Sequence, residues 1–142
     1  MPRTTIEFPD HIDFSTDYTV LISDVNSANH LGADRIFAIM IEAQMRFFAH
    51  LGYAQRKEIE GAGYIMADTE FIFRAESVYA DQLQIDVAAC DFAAKSFELR
   101  YRITNKTKGV IAAIVKAGMV FIDYETGKTQ PVPAAFRNKF NA

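Results

Sequence analysis

Between Gly32 and Leu51 the chain runs Ala-Asp-Arg-Ile-Phe-Ala-Ile-Met-Ile-Glu-Ala-Gln-Met-Arg-Phe-Phe-Ala-His, and this stretch constrains the fold more than any other. Ile36, Phe37, Met40, Ala43, Phe47, Phe48 and Leu51 recur at helical spacing, while Ala38, Ile39 and Ile41 fill much of the remaining circumference. A helix that is apolar nearly all round cannot lie on a surface, so the rest of the chain has to enclose it. Asn29 reads as its N-cap and Gly52 as its stop, with His50 in the last turn.

Beyond Gly61 the periodicity changes from the helical one to two. Phe71 and Phe73 share one face of a strand over 69–75. Leu83, Ile85 and Val87 alternate with Gln84 and Asp86, and Phe97, Leu99, Tyr101 and Ile103 alternate with Glu98, Arg100 and Arg102. Val110 to Asp123 is long and apolar, as a strand covered on both faces would be, and Gly118 within it signals a bulge or a close backbone approach. Tyr18 to Ser23 is β-branched and aromatic and reads as a strand before the helix. Turn chemistry falls at Ala80-Asp81-Gln82, near Ala94-Lys95, at 105–109 and at Glu125-Thr126-Gly127-Lys128.

The order is strand, one long helix, then four or five antiparallel strands. The fold class is α+β, a single domain over 1–142 in which a curved antiparallel sheet wraps one central helix. One helix cannot cover both faces of such a sheet, so a second copy, giving a homodimer or tetramer, is the expected partner for the leftover apolar surface. Residues 1–17 read as an irregular lead-in. The segment from Arg56 to Gly63 reads as an edge of a neighbouring subunit's substrate entrance.

A length of 142 residues with half of them apolar allows a substantial core, and twelve Phe and six Tyr exclude a disordered polar chain. The net charge of −3 argues against a nucleic-acid partner. No apolar run approaches the roughly 18 residues of a membrane helix, and the first ten residues lack the apolar region of a secretory signal. The expectation is therefore a cytoplasmic protein with no membrane association. Cys90 stands alone, which excludes an intrachain disulfide; it reads as a small core filler. No cluster of His, Cys and Asp has metal-ligand spacing, so no metal and no cofactor are expected.

The polar chemistry concentrates just before the helix, in Ser23-Asp24-Val25-Asn26-Ser27-Ala28-Asn29-His30-Leu31-Gly32-Ala33. Residues 24–33 resemble the D-x-D-x-x-G-H-V-N-N stretch of hotdog-fold acyl-CoA thioesterases of the 4-hydroxybenzoyl-CoA thioesterase superfamily. The likeness continues without a gap to Ile41-Glu42-Ala43, through Tyr79-Ala80-Asp81-Gln82-Leu83, and to Thr126-Gly127-Lys128 and Pro131-Val132-Pro133, spanning about 18–137. It implies a hotdog fold, a coenzyme A or acyl-carrier-protein thioester as substrate, and hydrolysis of that thioester. Four positions depart from the pattern. Asn26 stands where the family has its second Asp, Asn29 where it has glycine, and Gly32-Ala33 where it has Asn-Asn. An amide orients water or donates to a carbonyl, but it is neither a general base nor a nucleophile.

Thioester hydrolysis needs an activated water or nucleophile, donors for the oxyanion, and an acyl slot. Leu31, Gly32 and Ala33 sit where the unpaired amides of a helix start would supply the donors, although Gly32 equally eases a tight turn. Glu42 is the leading candidate carboxylate, since burial in the helix would raise its pKa toward a general-base value; the alternative is an exposed i, i+4 pair with Arg46. Asp24 is the second candidate, with capping of backbone amides as its alternative. Asn26 holds water or the thioester carbonyl, or else makes an Asx turn, and His30 donates to substrate or shapes the loop. Lys95, Arg100, Lys106, Lys108 and Lys116 are candidates for the coenzyme phosphates, and Met40, Phe37 and Phe47 for the acyl slot, with solvated charge and core packing as their alternatives. Two other functions compete: a hydratase or dehydratase using His30 and Glu42, and a non-catalytic acyl-CoA-binding protein in which Asn26 marks the lost acid.

Overall fold

The computed structural model describes residues 5–54 and 58–142. The first four residues of the lead-in, and Arg56 and Lys57 of the entrance segment, lie outside the described residues. Among those described, the order is β1 (Phe14–Thr19), α1 (Ala33–His50), β2 (Glu58–Ile59), β3 (Ala62–Phe73), β4 (Gln82–Cys90), β5 (Ser96–Asn105), β6 (Val110–Ile122) and a short α2 (Ala134–Asn138). The strands form one antiparallel sheet in the order β1-β4-β5-β6-β3-β2.

The apolar helix dictates this arrangement. Ile36, Ile39, Met40, Ala43, Phe47 and Phe48 of α1 are buried against the inner sheet face, which is built of Leu83, Ile85, Val87, Leu99, Tyr101, Val115 and Met119. Each fully buried side chain of this size contributes about 1.5–3 kcal/mol. Buried Gln44 is the polar exception on α1, and the Tyr101 hydroxyl donates to its Oε1 at 3.0 Å. Met40 and Phe47 are fully buried core residues, whereas Phe37 is exposed and leans on Phe71 of β3. The far end of the core is closed by α2, whose Phe136 packs against Phe97, Phe121 and Phe140.

β5 alternates without a break, with 97, 99, 101, 103 and 105 inward. β6 departs from the expected two-sided burial. Only 112–115 are buried consecutively, and from Lys116 onward the strand alternates. Gly118 fulfils the expectation of a close approach: β3 bulges between Met66 and Asp68 opposite it, and the Asp68 carboxylate accepts its amide at 3.1 Å. A Cβ on Gly118 would collide with that carboxylate.

Several boundaries differ from the sequence expectation. β1 runs from Phe14 to Thr19 rather than from Tyr18 to Ser23: its first four residues come from the stretch expected to be an irregular lead-in and pair with β4, and 22–24 form a 3-10 turn held by the Asp24 side chain. β3 begins at Ala62, seven residues before the expected start, since Gly63 and Ile65 break the alternating pattern while the backbone still pairs with β6. The N-cap is Gly32, not Asn29, which has φ +64° inside the preceding loop. Gly52 does stop α1, at φ +98°.

The described lead-in crosses the outer sheet face. Asp13 bonds the backbone of β4 on both sides, through Val87 O and Ala89 N, Arg100 donates to Glu7 O, and the Phe8 ring lies 4.4 Å from the Arg102 guanidinium. Beneath it Asp86 is buried and accepts from Ser15, Gln84 and Arg102. Asp81 is buried at the other end of β4 and accepts from the Val78 amide and from Asn105, whose Nδ2 also donates to Ser77 Oγ. Burial pushes both carboxyl pKa values up, yet these hydrogen bonds outweigh it and hold both below the usual carboxylate range.

Two expectations follow from these local facts. Ala80 holds φ +70° at the turn into β4, a conformation that costs an L-residue roughly 1–2 kcal/mol. Allowing for the extra freedom glycine has in the unfolded chain, Ala80→Gly raises stability by about 0.5–1 kcal/mol, read as a higher urea midpoint. The depressed pKa values of Asp81 and Asp86 mean that their stabilisation is complete above the unfolded value near 3.9 and disappears as pH falls through the folded values. Urea midpoints should therefore drop steeply below about pH 4, and Asp86→Asn should flatten that drop while costing about 1–3 kcal/mol at neutral pH.

Candidate functional site

The loop between the 3-10 turn and α1 is tied off by an antiparallel bridge between Val25 and Leu31. Asn26 organises its interior. Its Oδ1 accepts the amides of Ala28 at 2.9 Å and His30 at 3.2 Å, and its own amide donates to His30 O at 2.8 Å. This is the Asx-turn role, and it consumes the carbonyl end of the side chain while leaving the Nδ2 protons without a partner among the described residues.

Asp24 lies beneath the loop with its side chain fully buried. Its Oδ2 accepts the Tyr18 hydroxyl at 2.7 Å and the Leu21 amide at 2.9 Å, and its Oδ1 accepts Arg35 Nε at 2.9 Å. Burial raises its pKa, but the hydrogen bonds from Tyr18, Leu21 and Arg35 prevail and set it below the usual range. With Asp24 ionised and saturated by donors, the structure realises the capping alternative. Its backbone carbonyl also takes the Gly32 amide at 3.2 Å.

The three expected oxyanion donors separate here. Leu31 N already donates to Ser77 O at 2.8 Å and Gly32 N to Asp24 O, so neither is available to a ligand. Ala33 is exposed at the first turn of α1, and its amide has no acceptor among the described residues, as the first turn of a helix leaves it. Asp34 N is in the same position.

Glu42 is not buried, contrary to the expectation. Its side chain is 53% exposed and accepts Arg46 Nε at 2.9 Å, while Arg46 also reaches Thr16 and the Asp17 carbonyl on β1. The expectation failed because the stripe of α1 facing β1 is its solvent-accessible one, and Ile41 and Ala38 beside Glu42 are only partly covered.

A cavity of about 380 Å³ opens at the N-terminus of α1, and it brings Asn26, His30, Leu31 and Ala33 together with Ile36, Phe73 and the segment 74–77 after β3. Glu42 and Asp24 are not among its lining residues. The segment from Arg74 to Ser77 is the part the sequence reading missed. Its position is fixed by long-range bonds: Ser77 is buried against Asn105, and Lys108 Nζ donates to Glu76 O at 2.9 Å. These bonds place Glu76 Oε2 3.1 Å from His30 Nε2. No local spacing signals this pair, because the two residues are 46 positions apart.

Among the phosphate candidates, Lys108 flanks this segment, Arg100 is taken up by Glu98 and Asp91 on the outer face, and Lys116 pairs loosely with Glu70. Cys90 is half-buried at the end of β4, and burial pushes its thiol up to about 11. The fold gathers it with Asp91 and Glu98 within 4.8 Å, but Arg100 already bridges both carboxylates.

Comparison with known proteins follows this geometry. No curated protein matches the chain in sequence. Among solved structures, it superposes on a 1,4-dihydroxy-2-naphthoyl-CoA thioesterase from Synechocystis with TM-score 0.80 and 16% identity, covering 88% of this chain and 93% of that one. A gentisyl-coenzyme A thioesterase superposes with TM-score 0.76 and 21% identity over 87% and 99% of the two chains. A Staphylococcus aureus protein in complex with CoA gives TM-score 0.81 and 16% identity over 96% and 86%. At these identities the likeness establishes the fold, a hotdog. The thioesterase-like superfamily profile matches residues 20–140, from just after β1 through α1 and β2 to β6 to α2, and the chain belongs to that superfamily.

Proposed function

We propose that the protein is an acyl-CoA thioester hydrolase working in the cavity at the N-terminus of α1. The carrying observation is the convergence there of an unpaired helix-start amide at Ala33, the free Nδ2 of Asn26 and the imidazole of His30, beside an apolar wall of Leu31, Ile36 and Phe73. A helix-start amide carries the positive end of the helix dipole, and a side-chain amide donor beside it suits the oxygen of a tetrahedral intermediate. The apolar wall suits the acyl group. Family membership supports the reaction class, and the CoA held by the Staphylococcus aureus structure supports the carrier. An acyl-carrier-protein thioester shares the same reacting bond and is the alternative substrate.

The protein works as a dimer in this reading. β2 pairs only with Ala62 and Gly63, so the outer edge of β3 from 65 to 73 has no partner strand among the described residues. It carries exposed Ile65 and Phe73, the latter stacked on Phe71. A long exposed apolar edge invites pairing with another chain, and a second copy extends the sheet across a two-fold axis. Sedimentation should give about twice the 16.0 kDa chain mass, and Ile65→Lys with Phe73→Asp should give the single chain. A wild-type protein sedimenting as one chain rejects the dimer.

A binding protein without turnover is the second reading, and Asn26 favours it because the family's acid is absent there. The deciding measurement is thiol release from short, long and aromatic acyl-CoAs. Turnover with any of them establishes the hydrolase. Binding of acyl-CoA with no release of thiol establishes the second reading. Within an active enzyme, Asn26→Ala should lower kcat on the order of 10²-fold or more, the loss typical of one oxyanion donor. Glu42→Gln should leave kcat within about threefold and cost only a few tenths of a kcal/mol, because its pair with Arg46 is an exposed i, i+4 one. A hundredfold loss in Glu42→Gln would return the catalytic role to the helix carboxylate.

A further inference from the structure

We infer that Glu76 is the positioning carboxylate of a His30–Glu76 pair in which His30 is the general base for water attack on the thioester. The inference rests on the hydrolase reading and supplies the acid–base group that Asn26 cannot be. His30 Nε2 and Glu76 Oε2 are 3.1 Å apart, and both residues line the cavity that contains Asn26 and the Ala33 amide. In the proposed pair Nε2 carries the imidazole proton toward Glu76, whose carboxylate can only accept, and Nδ1 is the ring's acceptor. Nδ1 has no partner among the described residues.

The two side chains are 38% and 69% exposed, and it is the backbones that hold them in place. The His30 amide and carbonyl are both bonded to Asn26. On the other side, Glu76 O accepts Lys108 Nζ, and the next residue, Ser77, is locked by Leu31 N on its carbonyl and by Asn105 on its hydroxyl. Ser77 and Asn105 are buried, so the segment bearing Glu76 is anchored in a closed polar network one residue away. The Leu31 to Ser77 bond ties the two segments directly together.

The reaction balances with water as the only co-reactant. Water adds its oxygen to the thioester carbon as one of its protons passes to His30 Nδ1, and negative charge collects on the former carbonyl oxygen beside Ala33 N and Asn26 Nδ2. The intermediate collapses with cleavage of the C–S bond, and the imidazolium returns its proton to the departing thiolate, leaving a carboxylic acid and a free thiol. Glu76 stays ionised throughout, stabilises the imidazolium and keeps the tautomer.

The test combines a kinetic cycle with a tautomer measurement on the full chain. Wild type, Glu76→Gln, His30→Ala and the double variant are assayed on an acyl-CoA that the wild type turns over, and the His30 ring is observed by ¹⁵N NMR in wild type and Glu76→Gln. Glu76→Gln should lower kcat at least about tenfold with KM little changed, and His30→Ala should lower it on the order of 10²–10⁴-fold. In the His30→Ala background the Glu76 substitution should cost nothing further, because it acts only through the ring. Added imidazole should partly restore His30→Ala, and the Nε2–H tautomer should lose its dominance in Glu76→Gln. An active wild type whose kcat and tautomer are unmoved by Glu76→Gln, or additive losses in the double variant, would overturn the inference. A wild type silent on every acyl-CoA overturns the hydrolase reading itself and the catalytic task of the pair with it.

Discussion

The buried carboxylate of Asp24 is the interaction on which the site depends. It collects a phenol from β1, a backbone amide from the 3-10 turn and a guanidinium from the first turn of α1, while its own carbonyl takes the amide that caps the helix. One residue thereby fixes how strand, loop and helix meet. A buried charge without these partners would cost several kcal/mol, so they form as a set or not at all. Because Arg35 is partly exposed, the ion pair itself contributes less than the neutral donors, and the hydroxyl and amide bonds carry more of the geometry. The Asn26 loop then closes above a floor that cannot shift without breaking several bonds together.

The second constraint is the far end of the sheet. Ser77, Asn105 and Asp81 form a buried polar cluster in which the hydrogen bonds close on one another, and it holds the segment after β3 against the loop before α1. The cavity lies between these two fixed bodies, so its polar groups are presented by backbones that packing has already ordered. That ordering is what electrostatic stabilisation of an oxyanion requires, since donors that must reorganise during the reaction lose most of their effect.

The fold was legible because periodicity survives in single residues. Phe97, Leu99, Tyr101 and Ile103 alternate cleanly, and all point inward; the apolar face of α1 did require a sheet to wrap it, although the helix is open to solvent along another stripe. Gly118 could be read as a close approach because only a missing Cβ leaves room for the Asp68 carboxylate. The start of β3 was not legible, since Gly63 and exposed Ile65 obscure the pattern and the pairing comes from β6, far along the chain. Glu42 misled for a related reason. Its neighbours are apolar, but the side of α1 it occupies is set by which strand lies over it, and β1 leaves that stripe open to Arg46 and solvent. Asn26, His30 and Ala33 were found because they are adjacent in sequence. Glu76 was not, because its place depends on the register of β3 and on the anchoring of Ser77.

The replacement of the family's acid by Asn26 is intelligible in this frame. The side-chain oxygen at this position closes the loop by accepting the amides of Ala28 and His30. An asparagine keeps that oxygen and adds two protons, so the loop is unchanged while the group facing outward turns from acceptor to donor. In the proposed hydrolase a donor there reinforces the Ala33 amide and leaves the task of base to another group. The proposed base is His30, in the same loop, beside a carboxylate on a segment anchored by an independent buried network.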